Sequence, residues 1–405
     1  MVGGSPNTFA KAIFLDKSLY YAIFCKIVQH SEIMVEKAAN FLTIKRIYVL
    51  YVLVFVGVGI QKYLQGGYNN YLMFTMPFGW MLKGQSMYDV QVFLFEDLYK
   101  YSPTFAWLMS PFYALSNIGL GVILWNLLNT SVLLFGTYRF LKNDVSTVLQ
   151  KVLLIVFLEG LITAQNIQSN NLILGLMLLG LAWLRGGQVF WAALMFSLAA
   201  YFKVYGAAVA IFFVFYPQKI KFLASMAFWM LVLALLPLTV MSWPMLLSEN
   251  LKWLAVAAES KLGQQVSVMG ILQSWFGLKV NFNYVSGIGF VLFMLPLLQF
   301  KKWQSVVFQR FMLAYLLLFI IIFNKMAESP TYVYAVMGVA LWFTNLEKPS
   351  TSDWFLLILV LVFTSLSPSD LFPRTLRDQF LVPYNIKAFP CILVWVRLQW
   401  LVWRA

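Results

Sequence analysis

Charge is scarce in this sequence. Asp, Glu, Lys and Arg together make up 11% of 405 residues, against roughly 25% in an average soluble protein. Such a chain cannot cover a globule with polar groups, which excludes a soluble enzyme of the ordinary kind. Histidine occurs once, at His30, so a multi-histidine metal site is excluded and a Ser-His-Asp relay is implausible. The two cysteines, Cys25 and Cys391, stand far apart in sequence. Neither a disulfide framework nor a metal-ligand spacing can be built from them. Motifs of the common nucleotide and hydrolase sites are also missing: no Walker loop, GxGxxG, HExxH or GxSxG is present. No internal repeat and no low-complexity run divides the chain.

What is abundant is apolar surface. Hydrophobic residues reach 61%, aromatics 18%, and the mean hydropathy is +0.79. That excludes a disordered chain and leaves an integral membrane protein with many spans. The net charge of +14 reads as the basic bias of cytoplasmic loops rather than as a nucleic-acid surface.

Residues 1–47 are mixed and polar, with Lys11, Lys17, Lys26, Lys37, Lys45 and Arg46. They read as a cytoplasmic or interfacial lead-in without a cleaved leader pattern. Residues 48–405 read as a single multi-span domain. Apolar stretches begin near Tyr48 and recur near 117–138, 152–165, 171–184, 188–201, 204–216, 222–241, 284–300, 308–323, 332–344, 354–367 and 386–402. The expected fold is therefore an all-α polytopic membrane protein with about twelve transmembrane helices, several of them short for a ~30 Å hydrocarbon core. With the N-terminus inside, alternate loops carry Arg139, Lys142 and Lys151, then Arg185, then Lys219 and Lys221, then Lys301, Lys302 and Arg310, then Lys348, then Arg404. The charge rule and the span count agree on both termini inside. The first outer loop, near 62–116, holds YLMFTMPFGWML and TFAWLMSPFYAL, which read as helices lying on or dipping into the outer interface. A second outer segment, 242–283, carries Trp243, Trp253 and Trp275.

Polar clusters gather on the outer side. They are Asn69-Asn70, Asp89, Glu96-Asp97 with Lys100, Gln168 and Asn170 in QNIQSNN, Lys203 in YFKVY, and Lys325 with Glu328 in NKMAESPTY. Each has a bland reading alone: Lys203 as a lysine snorkelling to headgroups, QNIQSNN as a capping turn, Asp89, Glu96 and Asp97 as solvated charges, Lys325–Glu328 as a weak ion pair. Their common side and depth favour chemistry instead. Lysines suit phosphate oxygens, amides suit sugar hydroxyls, and a carboxylate can accept a proton from an attacking hydroxyl. Together these describe glycosyl transfer from a polyprenyl-phosphate sugar donor to a lipid or glycan acceptor among membrane lipids.

At these clusters the chain resembles the bacterial GT-C membrane glycosyltransferases of glycosyltransferase family 87, the alpha-mannosyltransferase-like proteins, in a Bacteroidetes-type branch. The stretches that carry the resemblance are YNNYLMF at 68–74, GQSMYD at 84–89, DLYKYSPTFA at 97–106, GVILWNLLN at 121–129, QNIQSNNLILGL at 165–176, AYFKVYG at 200–206, SVMGILQSWFG at 267–277 and AESPTYVYAVMGVALW at 327–342. The resemblance implies a GT-C-like fold, an inverting transfer of a mannose-like hexose without metal or other cofactor, and a base in the first outer loop. It also implies a site facing the periplasm at the bacterial inner membrane. Where such enzymes commonly carry their early aspartate, this chain has Gly66-Gly67. The base then falls to Asp97, Asp89 or Glu96, with Asp97 preferred because it precedes LYKYSP and stands near Lys100. Lys100, Lys203 and Lys325 become donor-phosphate candidates. Asn69, Asn70, Gln168 and Asn170 become candidates for sugar or acceptor contacts, and Glu328 for orienting Lys325 or serving as a second acid. Two other readings stay open: a transporter or flippase of lipid-linked sugars, and a non-catalytic protein of the same fold.

Overall fold

In the computed structural model the described residues are 42–89, 99–116, 118–258, 266–367, 369 and 372–404. Every regular element among them is helical. The chain begins with α1 (Ile44–Leu64), α2 (Asn69–Leu82) and two short helices, α3 (Pro103–Leu108) and α4 (Ser110–Tyr113). It continues through α5 (Leu120–Leu141), α6 (Ser146–Gln165), α7 (Asn170–Arg185) and α8 (Val189–Phe202) into a 3-10 helix, Val204–Phe215. Then come α9 (Lys219–Leu235), α10 (Trp243–Ala258), α11 (Val268–Phe276), α12 (Phe282–Met294), α13 (Val306–Ile322), α14 (Tyr332–Thr344), α15 (Thr351–Leu359) and α16 (Phe389–Arg404).

Length and composition make the membrane argument concrete. Five helices are long and apolar enough to cross: Ile44–Leu64, Leu120–Leu141, Ser146–Gln165, Lys219–Thr239 and Ile386–Arg404. Six further apolar helices are shorter, among them Asn170–Arg185, Val189–Phe202 and Val204–Phe215. The protein is thus a multi-pass membrane protein. α1 shows how one sequence serves two solvents. Thr43 accepts a hydrogen bond from the Arg46 N–H and starts the helix. Ile47, Tyr51, Phe55 and Val58 are buried, whereas Val49, Leu53, Ile60 and Leu64 are exposed. In water such an apolar outer face would be an aggregation hazard; against lipid it is the right surface. Twenty-one residues at 1.5 Å each give roughly 31 Å, one hydrocarbon thickness.

The core is a bundle in which α5 packs along α7, α7 along α8, α13 along α14, and α6 on both α1 and α14. α5 and α7 run parallel and touch backbone to backbone. A Cβ on Gly175 would sit 2.3 Å from the Val132 carbonyl oxygen, and one on Gly136 2.2 Å from the Gly175 oxygen. Only glycine admits that approach, and small residues at such crossings let membrane helices gain dispersion contact. One ion pair is fully inside: Lys387 Nζ lies 2.7 Å from Glu159 Oε1, 228 residues away in sequence, and 5.1 Å from the centre of the Tyr332 ring. Trp125, Trp342, Tyr315 and Tyr334 are among the largest fully buried side chains.

α2 and α3–α4 are the two stretches expected at the outer interface. Both are helical, and α2 buries Tyr71, Met73, Phe74, Pro77 and Met81 against the bundle. The segment expected as a tryptophan-bearing outer loop contains two ordered helices, α10 and α11.

Candidate functional site

The turns at one end of the bundle converge. They are Tyr99–Ser102 before α3, Asn166–Ser169 between α6 and α7, Lys203 between α8 and the 3-10 helix, and Phe323–Thr331 between α13 and α14. Each is held by local chemistry. Ser102 caps α3 through the Phe105 N–H at 3.0 Å and donates its own hydroxyl to the Tyr201 carbonyl at 2.7 Å, tying the first turn to the third. Lys203 stands in extended backbone at the end of α8, and the chain reverses there because Gly206 packs on the Ala199 carbonyl, where a Cβ would come within 2.2 Å.

QNIQSNN divides its side chains between two tasks. Asn166 Nδ2 donates to the Ile162 carbonyl at 2.8 Å and Asn171 Nδ2 to the Gly160 carbonyl at 2.9 Å, which is helix-end work. Gln168 and Asn170 turn the other way. Gln168 Oε1 accepts from the Tyr101 hydroxyl at 3.2 Å. Asn170 Nδ2 donates to the Pro330 carbonyl at 3.0 Å, while its Oδ1 accepts from Lys203 Nζ at 2.9 Å. Thr163 donates to the same Pro330 carbonyl at 2.8 Å. Ile167, between them, has φ 51°, the left-handed region that a β-branched residue rarely enters. Strain of that kind persists only where the surroundings over-determine it.

Between these turns lies a cavity of about 420 Å³. Lys100, Gln168, Lys203, Lys325 and Glu328 all line it, five of the residues singled out from the sequence. Lys100 and Glu328 approach to 3.9 Å. Lys203 Nζ lies 5.6 Å from the Tyr101 ring centre and 6.0 Å from that of Tyr205. Burial pushes the Lys203 ammonium down to about 8, with Glu328 opposing and Lys100 adding to the fall. Lys325 donates to the Ala258 carbonyl at 3.0 Å and faces the Phe282 ring at 5.7 Å. Much of the remaining wall is apolar, supplied by Val204, Phe282, Phe319 and Phe323, with Asn324 and Thr331 among the polar residues beside them.

Two more cavities lie along the bundle. One of about 740 Å³ is lined by Gln273, Lys279, Asn281 and Asn283, and shares Phe282 and Lys325 with the first. Another, of about 370 Å³, is almost wholly apolar and lies toward the opposite end of the 3-10 helix and α12, with Ile211 and Val214 from the first, Phe290 and Met294 from the second, and Phe300 and Trp303 beyond it.

The other sequence candidates lie elsewhere. Asp89 is 62% exposed and bonds Lys252 at 2.5 Å, away from the cavity linings above. Its hydrogen bond to Lys252 holds its carboxyl below the usual range, and that same bond raises Lys252. Glu249 completes the knot, accepting from the Met87 N–H at 2.7 Å. Asn69 is exposed, and Asn70 donates to the Asn166 carbonyl at 2.7 Å, bracing the QNIQSNN turn from behind. Asn170 sits beneath the cavity and holds Lys203. Glu96 and Asp97 fall outside the described residues, as do His30 and Cys25. Among the described residues no group of three or more His, Cys, Asp or Glu gathers as metal ligands would. Sequence reasoning missed the aromatic wall, Tyr101, Tyr205, Phe282, Phe319 and Phe323. The tyrosines flanking Lys100 and Lys203 were in view, but α12 and α13 looked like any other apolar helices.

The family model described as Glycosyltransferase family 87 matches residues 99–366. No curated protein matches the chain.

Proposed function

The chain belongs to glycosyltransferase family 87, and from that premise we propose that this membrane glycosyltransferase moves a mannose-like hexose from a polyprenyl-phosphate sugar to a lipid or glycan acceptor. The twelve apolar segments of the sequence cross the bacterial inner membrane, and the cavity faces the periplasm. The observation that carries this reading is one cavity in which three lysines and a carboxylate meet an apolar wall. Lys203, with its ammonium lowered by burial that Glu328 only partly offsets, gains from a further anion; a donor phosphate supplies it. Val204, Phe282, Phe319 and Phe323 on the wall of the site cavity suit the first isoprene units of the carrier. The larger, amide-lined cavity beyond Lys325 suits the acceptor.

In the transfer, an acceptor hydroxyl oxygen attacks the anomeric carbon. The bond from that carbon to the phosphate oxygen breaks, and the polyprenyl phosphate leaves with the electron pair. The hydroxyl proton passes to a carboxylate base, and attack opposite the leaving group inverts the anomeric centre. Asp97, three residues before Lys100 in the sequence, is the proposed base. Lys100, Lys203 and Lys325 hold the phosphate whose charge grows as the bond breaks, the kind of fixed electrostatic stabilisation that dominates many transfers. Gln168 contacts the sugar, Asn170 positions Lys203, and Glu328 orients Lys100 and Lys325.

The test is transfer by purified protein supplied with polyprenyl-phosphate mannose or glucose and membrane lipids. Asp97→Asn is expected to abolish product while donor binding persists. Activity that survives Asp97→Asn, Asp89→Asn and Glu96→Gln combined would remove the carboxylate base from the mechanism.

A further inference from the structure

At the opposite end of the bundle a second polar cavity, of about 250 Å³, opens between the C-terminal ends of α5 and α7. Arg139, Lys142 and Arg185 line it together with the amides of Asn143 and Gln188. Among the described residues no carboxylate does. The nearest acid in sequence, Asp144, is already bonded to Arg310 at 2.5 Å. Arg185 stands over the Phe140 ring at 4.8 Å and spends one N–H on the Phe140 carbonyl at 3.4 Å. It also stands beside the Tyr216 hydroxyl. Its guanidinium is thereby fixed in orientation. Arg139 Nε is buried and has no hydrogen-bond partner among the described residues.

A plain explanation is that these cations only neutralise two helix ends. The arithmetic leaves charge over. Each helix C-terminus carries about half a negative charge, so two ends offset about one of the three cations. About two of the three positive charges are left without a counter-charge among the described residues, which favours an anion in the space they line. Two arginines and a lysine around a space of this size match the oxygens of a phosphate group. A volume of that order holds about eight waters, enough for a phosphate and the first atoms of whatever carries it.

We propose that Arg139, Lys142 and Arg185 form an anion-binding pocket that takes a phosphate group, distinct from the donor cavity at the other end of the bundle. The chemistry is shared by an anionic phospholipid headgroup and by a soluble phosphate, and the experiment separates them. Purified protein in detergent is titrated with dihexanoyl phosphatidylglycerol, dihexanoyl phosphatidylcholine or inorganic phosphate, with melting followed by tryptophan fluorescence and bound lipid counted by native mass spectrometry. Phosphatidylglycerol is expected to raise the melting temperature and remain bound, and phosphatidylcholine is not. A response to phosphatidylglycerol alone identifies a lipid headgroup; an equal response to inorganic phosphate identifies a soluble anion. Arg139→Gln and Arg185→Gln are each expected to weaken the apparent affinity about tenfold or more, the usual scale for a lost charge-assisted hydrogen bond. Lys142 is exposed, so Lys142→Glu is expected to leave the fold intact and still abolish the response. It decides the matter if the arginine variants fail to fold. Equal responses to the two lipids, or an undiminished anion response in folded Lys142→Glu, overturn the proposal.

Discussion

If Lys203 grips the donor phosphate, its proton is visible in the kinetics. The lysine is half-buried in the turn after α8, bonded to Asn170 Oδ1 at 2.9 Å, and burial holds its ammonium down to about 8 rather than 10.5. The sign follows directly. Below that value the group is charged and binds the phosphate; above it the charge is lost. About nine-tenths of the free enzyme is charged one unit below and about one-tenth one unit above, so kcat/KM for the donor is expected to fall about tenfold per unit above pH 8. A polyprenyl-phosphate sugar is a phosphodiester with no proton to lose in this range, so the limb belongs to the enzyme. Bound phosphate stabilises the ammonium, and the limb in kcat is expected at higher pH than the limb in kcat/KM. Lys203→Arg stays charged and is expected to carry activity past pH 9. Lys203→Met is expected to lose about 10- to 150-fold at pH 7, equivalent to a charged hydrogen bond of about 1.5–3 kcal/mol, and to show no alkaline limb of its own. The assay is initial-rate transfer of radiolabelled sugar across pH 6–10. One common limb in all three proteins would refute the assignment.

Two other expectations concern the bundle itself. Lys387→Met leaves the Glu159 carboxylate buried without its 2.7 Å partner and is expected to cost about 3–5 kcal/mol, whereas Glu159→Gln with Lys387→Met recovers most of that loss; thermal melts of the two singles and the double measure the coupling, and additive effects would deny it. Gly175→Leu drives a side chain into the Val132 carbonyl, already 2.3 Å from a Cβ, and is expected to separate α5 from α7 and abolish folded expression, while Gly57→Leu, where no atom lies within 4 Å, is expected to be tolerated.

Much of this arrangement was legible in the sequence, and the limits have physical causes. Apolar runs locate helices because lipid demands them, and the stretch read at 117–138 is helix Leu120–Leu141. Ends were less visible: Ser146–Gln165 begins before the run read at 152–165, because polar first turns reach out of the apolar layer. The segment 242–283 looked like a loop, since its mixed composition hides that Trp243–Ala258 is a helix anchored through Glu249 and Lys252 to residues 86–89. Five candidates meet in one cavity because short turns at one end of a bundle have nowhere else to go. Asp89 does not join them, because a salt bridge across 163 residues is invisible to reading by side and depth. Glu159 and Lys387 escaped notice for the same reason: Glu159 looks like a lone charge inside the run at 152–165 and Lys387 like one at the edge of 386–402 until the partner is known.

The short helices around the site bear on where a lipid phosphate can be reached. α8 has 14 residues, which at 1.5 Å each span roughly 21 Å against a hydrocarbon layer of ~30 Å. A pair of helices that short keeps the Lys203 turn close to the headgroups rather than in bulk water, which is where a carrier phosphate resides while its tail stays in the layer. A lipid-linked donor requires the site end to face outward and the basic end inward. Single cysteines placed in a Cys25→Ser background test this, since Cys391 is buried. Asn69→Cys, exposed at the site end, is expected to react with a membrane-impermeant maleimide on intact cells. Lys348→Cys, exposed at the opposite end, is expected to react only after permeabilisation. The reverse pattern would place the cavity on the side where nucleotide sugars are available, and the lipid-linked donor would lose its physical reason.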